Sequence, residues 1–506
     1  RRHPRPRVQW SHFRYSCTRT LGCNEKIKRS PHTRVVCMES TILLPVKNRL
    51  KSAQAALDGF PWLLATVLYT LSWGWSLLRP NTLYWDDWAY IYNKPKSYLN
   101  QIFVDTGLPP WRALIDQELI SVGYWTIPVL TFLFFFASGI ALYLILKKVI
   151  FLNQAQINFT ILIFLIAPVN HARIALVMFG YTTSFFLFFV AWAILVRHKQ
   201  KASFLLALIL FLCSFMTHSF LFFYLFPFFH FVVINTKARR LESWRSIFVV
   251  KLVLSGALPI IYYLLRSFYW PPIKAYEGYH KLTFDGLTRG VIFLVAGSAF
   301  TFTIFRISSS RSKQKTVKPL AIIAWGIFAW GLFPYFVNRS LVDTLSVFAF
   351  RADYGTRHLL LTPLGIGLII TSIAMVIPVS ARKTLNVIFL SSFTFINVFF
   401  GTQYLLDSYK KEQLTVLFQE TNVVNSDTNL IFVDSTKLFN GRFSTYRNTE
   451  LEGLINLANR NVKSISGKTT CEDILEGYEI RLQSNKSFYS ALLSRDLGLY
   501  FEINEC

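Results

Sequence analysis

Tyr84-Trp85-Asp86-Asp87-Trp88-Ala89-Tyr90 stands just after the first long apolar run of the chain. Two adjacent carboxylates sit there among the rings of Tyr84, Trp85, Trp88 and Tyr90. A charged side chain at membrane depth costs roughly 3 kcal/mol or more, so an acidic pair at a membrane boundary is a functional candidate. A plainer reading stands beside it. Trp and Tyr populate any membrane–water interface, and two acids just past a helix end can be no more than solvated groups.

Composition places the stretch in a membrane protein. Of 506 residues, 53% are hydrophobic, and the mean hydropathy is +0.38. Both are too high for a soluble chain of this length. The net charge of +26 does not point to nucleic acid. Much of it lies in short Lys/Arg clusters between apolar runs, as cytoplasmic loops do. The 48 phenylalanines lie mostly inside the apolar runs and read as lipid-facing and packing surface. Residues 1–37 are basic, hold Glu25 as their one acid, and show no apolar period. They lack the apolar core of a secretory signal. We read them as a disordered or non-native extension with Met38 as the natural start, or as a basic arm on anionic lipid.

Runs long enough to span a bilayer as helices occur at about 60–78, 124–146, 150–169, 174–196, 202–218, 219–236, 247–268, 287–306, 319–336, 357–377 and 385–404. The fold expected is an all-α polytopic membrane protein of about eleven transmembrane helices, covering residues 38–404. A small α/β extracytoplasmic domain follows over 405–506. In that segment 430–433 reads as a strand and 449–461 as a helix. With positions 47–51 placed in the cytoplasm, Lys147-Lys148 and the basic clusters at 197–201, 237–240, 306–318 and 382–383 all fall inside. No Asp or Glu occurs between Glu118 and Glu242. The expected site is the plasma (inner) membrane, with the N-terminus cytoplasmic and the C-terminus outside. Cys471 and Cys506 share the outer segment and could pair there; Cys213 reads as packing.

The outer loops carry the ionisable groups. The first, about 79–123, holds Asp86 and Asp87. It also holds Pro109-Pro110 before Trp111, Leu114, Ile115 and Leu119 at helical spacing, which predicts a short helix on the membrane surface or facing solvent. Others carry His171 and Arg173, His218, Lys274 with Glu277 and His280, and Asp353, Tyr354, Arg357 and His358. A carboxylate can take a proton from an attacking hydroxyl, and a cation can hold a leaving phosphate. Adjacent acids in a helix diverge by about 100°, so one of Asp86 and Asp87 is expected to face the site. Plain roles remain open for the rest. His171 and His218 can stabilise tight turns, Arg357 can snorkel, and Tyr354 can belong to the interface belt. No metal-ligand spacing, phosphate loop, dinucleotide fingerprint or nucleophile elbow is present.

The order of features resembles the GT-C superfamily of membrane glycosyltransferases, such as the protein O-mannosyltransferases and aminoarabinose transferases. Two places carry the likeness, which covers about 38–404. Asp86-Asp87 sits where the family has its acidic motif. Arg357-His358-Leu359-Leu360-Leu361-Thr362-Pro363 opens a late span, with His where an aromatic residue is commoner. The resemblance implies sugar transfer, with inversion, from a polyprenyl-phosphate donor to an acceptor hydroxyl on a glycan, lipid or protein. Asp86 or Asp87 would be the base. Arg357, with His358 or Lys274, would steady the phosphate, and His171, Arg173, His218 and Tyr354 would line the pocket. Some members use a divalent metal; nothing in this sequence demands a cofactor. Two rival readings fit the same spans: a transporter or flippase of lipid-linked sugars, and a non-catalytic membrane protein whose outer domain recruits partners. Against the transporter, the two halves of the chain show no hydropathy symmetry.

Overall fold

The computed structural model describes residues 57–91, 96–149, 152–198, 200–238, 245–273, 284–309, 317–338, 354–422, 424–425, 428–441, 446–460, 462–466 and 477–506. Residues 1–37, Lys274, Glu277, His280, Asp353 and Cys471 lie outside the described residues. So does the side chain of Tyr354, whose backbone opens a 3-10 turn.

The chain is mostly helical. After α1 (Trp62–Trp73) come three short helices in the long loop at about 79–123: α2 (Asp87–Ile91), α3 (Lys96–Asp105) and α4 (Trp111–Val122). Ten longer or paired segments follow. They are α5 (Thr126–Leu146), α6 (Gln154–Ile166), α7 (Phe179–Arg197), α8 (Lys201–Ser214), α9 (Ser219–Phe223) with α10 (Leu225–Ala238), α11 (Arg245–Tyr269), α12 (Phe284–Ser309), α13 (Val317–Asn338), α14 (Thr362–Val376) and α15 (Val379–Glu420). Five stretches among the described residues are helical, long and apolar enough to cross a membrane: Thr126–Leu146, Leu176–Arg197, Ser219–Thr236, Phe248–Tyr269 and Val379–Glu420. Four apolar helices are shorter, at 10–17 residues.

Local chemistry sets the helix starts. Pro61 precedes α1 and Pro363 opens α14, where a missing N–H costs nothing. Asn153 and Gln156 form a reciprocal capping box on α6. The phenylalanines pack as the sequence suggests. Phe135, Phe164 and Phe185 stack on one another with ring centroids 5.2–5.8 Å apart between α5, α6 and α7. On the outside of the bundle Leu133, Leu205, Ile209, Val249, Val253 and Ile260 stay exposed. Water would penalise such faces by about 25 cal/mol per Å²; hydrocarbon does not.

The helix expected near 111–120 is α4, and its polarity is turned inward. Arg112 and Asp116 are buried and pair at 3.6 Å, while Trp111, Leu114 and Ile115 are exposed. An apolar outer face with the ion pair inside suits a helix lying against lipid.

α15 is 42 residues long. At 1.5 Å per residue it reaches about 63 Å, twice the hydrocarbon thickness. It therefore runs unbroken past residue 404 into the C-terminal domain. There β1 (Asn429–Asp434), β2 (Ser464–Ser466), β3 (Tyr478–Ser484) and β4 (Leu499–Glu505) form a sheet of order β2-β1-β3-β4. β1 pairs parallel with β2 and β3, and β4 closes antiparallel on β3. α16 (Asn448–Leu457) links β1 to β2, and α17 (Phe488–Ser494) links β3 to β4. Cys506, at the end of the sheet, is disulfide-bonded. One apolar core joins this domain to the loop at about 79–123. It runs from Leu83, Trp88 and Leu176 through Leu414 and Phe418 to Phe432, Leu454 and Ile480.

Candidate functional site at the first outer loop

The chain turns sharply at the acidic pair. Trp85 has φ +51°, in the left-handed region that a bulky residue rarely adopts. Such strain persists only when its surroundings hold it, and it clusters at functional sites. Here the Trp85 N–H donates to Glu450 Oε1 at 3.0 Å, and its ring packs edge-on to Tyr404. The turn leaves the two carboxylates in different surroundings, one buried and one half-exposed.

Asp87 points inward and is fully buried. Its Oδ2 accepts from the backbone N–H of Tyr84 and of Leu176, and its Oδ1 from that of Val177, each at 3.0 Å. The carboxylate thus ties its own turn to the short 3-10 segment Leu176–Met178 that leads into α7. Burial pushes the Asp87 carboxyl up to about 7, against the pull of those three donors. Asp86 is left half-exposed, and its Oδ1 accepts from Arg447 Nη1 at 2.8 Å. Of the expected pair, Asp86 is the one open to solvent.

The other expected residues fall into two further groups. The 3-10 turn His171–Ile174 meets the turn Tyr354–Leu359 where the Ala172 N–H donates to Thr356 Oγ1 at 2.9 Å. His171 is buried, 3.2 Å from Asn397 Oδ1 of α15, with its ring against Trp73. Arg173 is buried with its guanidinium 3.3 Å from the Trp73 ring centroid and 3.9 Å from that of Phe135. Among the described residues no carboxylate pairs with it, and its Nη2 finds no acceptor. Burial lowers it to about 10. Beside it Asn170, at φ +56°, keeps both side-chain amide atoms buried without a partner among the described residues. A cation held between rings with an unused N–H is suited to an anion. His358 lies 4.7 Å from the Tyr335 ring, and the Tyr335 hydroxyl donates to Ser219 Oγ beside His218. Arg357 is half-buried in the same turn.

A cluster that sequence reasoning missed lies beneath Asp86. Lys411 Nζ pairs with Asp407 at 2.8 Å, approaches Glu450 at 3.8 Å, and donates to the Leu83 carbonyl at 2.9 Å. Tyr446 donates to Asp407 at 2.8 Å, and Glu450 also accepts from the Arg447 N–H at 3.0 Å. The preceding residue, Lys410, is wholly buried and donates to both oxygens of Asp434 at 2.8 Å. Burial pushes Asp434 up, but the Lys410 ammonium outweighs it and holds the carboxyl below its ordinary value. Burial likewise raises Glu450, against Lys411 and two backbone donors. The one sequence signal was Asp407 four residues before Lys411, a helical ion-pair spacing. Nothing local shows that it is buried.

No group of three His, Cys, Asp or Glu able to hold a metal occurs among the described residues. Comparison with family models, curated proteins and solved structures gives no match to this chain.

Proposed function

We propose that the chain is a GT-C-like membrane glycosyltransferase of about eleven spans, acting on the extracytoplasmic face of the plasma membrane. It transfers a sugar from a polyprenyl-phosphate donor to an acceptor hydroxyl. The observation that carries the reading is the division of labour in the acidic pair: Asp87 is sealed against three backbone amides while Asp86 stays open beside Arg447.

In this reading Asp86 takes the proton from the acceptor hydroxyl as that oxygen attacks the anomeric carbon. The bond to the phosphate breaks on the opposite face, so the centre inverts. The departing phosphate is met by Arg173, whose Nη2 finds no acceptor among the described residues, with Arg357 in the turn that the Ala172–Thr356 hydrogen bond holds against it. Asp87 keeps the turn in place and does not touch the substrate.

The test is transfer in isolated membranes from labelled polyprenyl-phosphate sugars, comparing wild type with Asp86→Asn and Arg173→Gln at matched expression. A fall of about 100-fold or more in Asp86→Asn is expected for loss of a general base. Equal transfer in all three removes this mechanism. Movement of lipid-linked sugar across the bilayer without transfer establishes the flippase instead.

A further inference from the structure

A cleft of about 560 Å³ opens between the loop at 78–83, the outer half of α15, and α16. It lies within the size range of small-molecule sites. One wall is a single face of α15: Ser408, Glu412, Thr415 and Gln419 follow one another at spacings of four, three and four residues. Every one can hydrogen-bond. Ser408 Oγ is the telling member: the residue is 5% exposed, and its hydroxyl has no partner among the described residues. A buried, unpartnered hydroxyl lining a cleft calls for a ligand or water to satisfy it. Asn81 and Thr82 add polar groups from the loop, while Leu83, Trp88, Tyr124, Val416, Leu454 and Leu457 make the rest of the lining apolar.

The charges in the cleft are already spent. Arg79 and Glu412 pair across it at 3.1 Å, and Lys411 is neutralised by Asp407. No uncompensated cation remains for a phosphate. The polar groups of α15 would lose their water under a lipid tail and gain no partner. What fits is a neutral molecule with many hydroxyls and one apolar face.

We infer that this cleft binds a short neutral saccharide, and that this saccharide is the acceptor. The word acceptor rests on the glycosyltransferase reading; the binding itself does not.

The measurement is equilibrium binding, by saturation-transfer NMR, to the purified full chain in lipid nanodiscs. The probes are neutral di- and trisaccharides, with a sugar phosphate and a polyprenyl alcohol as comparators. A neutral saccharide is expected to bind. Gln419→Ala, at an exposed position that leaves the fold alone, should weaken it about fivefold, the worth of one neutral hydrogen bond. Thr415→Trp, which fills the cleft, should weaken it more than tenfold with an unchanged melting profile. No binding of any neutral saccharide overturns the inference. So does binding that both cleft variants leave untouched, or displacement of the saccharide by the polyprenyl alcohol. Saccharide binding without transfer from any donor would sink the enzyme reading and keep the site.

Discussion

At the residue scale, Asp86 and Asp87 differ in what surrounds them, not in chemistry. Asp87→Asn presents an amide N–H₂ to backbone donors and leaves at least one N–H unpaired, a cost of about 1–3 kcal/mol. The expected phenotype is a lowered thermal midpoint, whereas Asp86→Asn keeps the midpoint and loses transfer. The pH dependence follows from the raised Asp87 carboxyl, near 7 against an ordinary 3.8. A group that holds its proton more tightly when folded contributes fully below its unfolded value and loses that contribution as pH rises through its folded one. Relative to Asp87→Asn, wild type should therefore lose stability from about pH 4 to about pH 7. A difference that grows over that interval would contradict the assignment. Adjacency alone says that one acid turns inward. Which one depends on the amides of Leu176 and Val177, 89 and 90 residues away, and no local pattern holds that information.

At the element scale, α15 is the shaft that joins the apolar helices and the C-terminal domain. Its Lys410 is buried against Asp434 of β1. Removing one partner of a buried pair leaves a bare charge, and the usual cost is about 3–5 kcal/mol. Lys410→Met should destabilise the chain on that scale, read as a fall in the thermal midpoint, and Lys410→Met with Asp434→Leu should recover part of it. If the double variant is as unstable as the single, the pair is not the cause. For α4, a spin label at Leu114→Cys should be relaxed by oxygen more than by a water-soluble nickel complex. The reverse ranking would place this face in water.

At the scale of the whole molecule, the domains share one side. The Trp85 N–H reaches Glu450, and Asp86 reaches Arg447, so the first outer loop and the C-terminal domain must occupy the same compartment. Reporters inserted in the loop at 79–123 and after Cys506 should agree with each other and oppose one placed at Lys147-Lys148. Disagreement between the first two would refute the packing. The common core of Leu83, Trp88, Leu414 and Leu454 carries a second consequence. Ending the chain at residue 404 strips the cover from Leu83 and Trp88 and removes Glu450 from the strained turn, so that fragment should lose transfer even if it inserts.

Hydrophobic run length and the placement of Lys and Arg are local properties, and they sufficed for helical membrane-crossing segments, for the helix at Trp111–Val122 and for the strand at Asn429–Asp434. The acidic pair was legible as a candidate because its carboxylates interrupt an apolar, aromatic setting. The tertiary structure alone decided that Asp87 is a clamp and Asp86 the open carboxylate, that Arg173 stacks on Trp73 and Phe135 with no acid among the described residues, and that Lys410 and Lys411 are buried. Each of those outcomes depends on desolvation by residues tens to hundreds of positions away. The energy of a charge is set by what is packed around it in space, which the order of residues along the chain does not display.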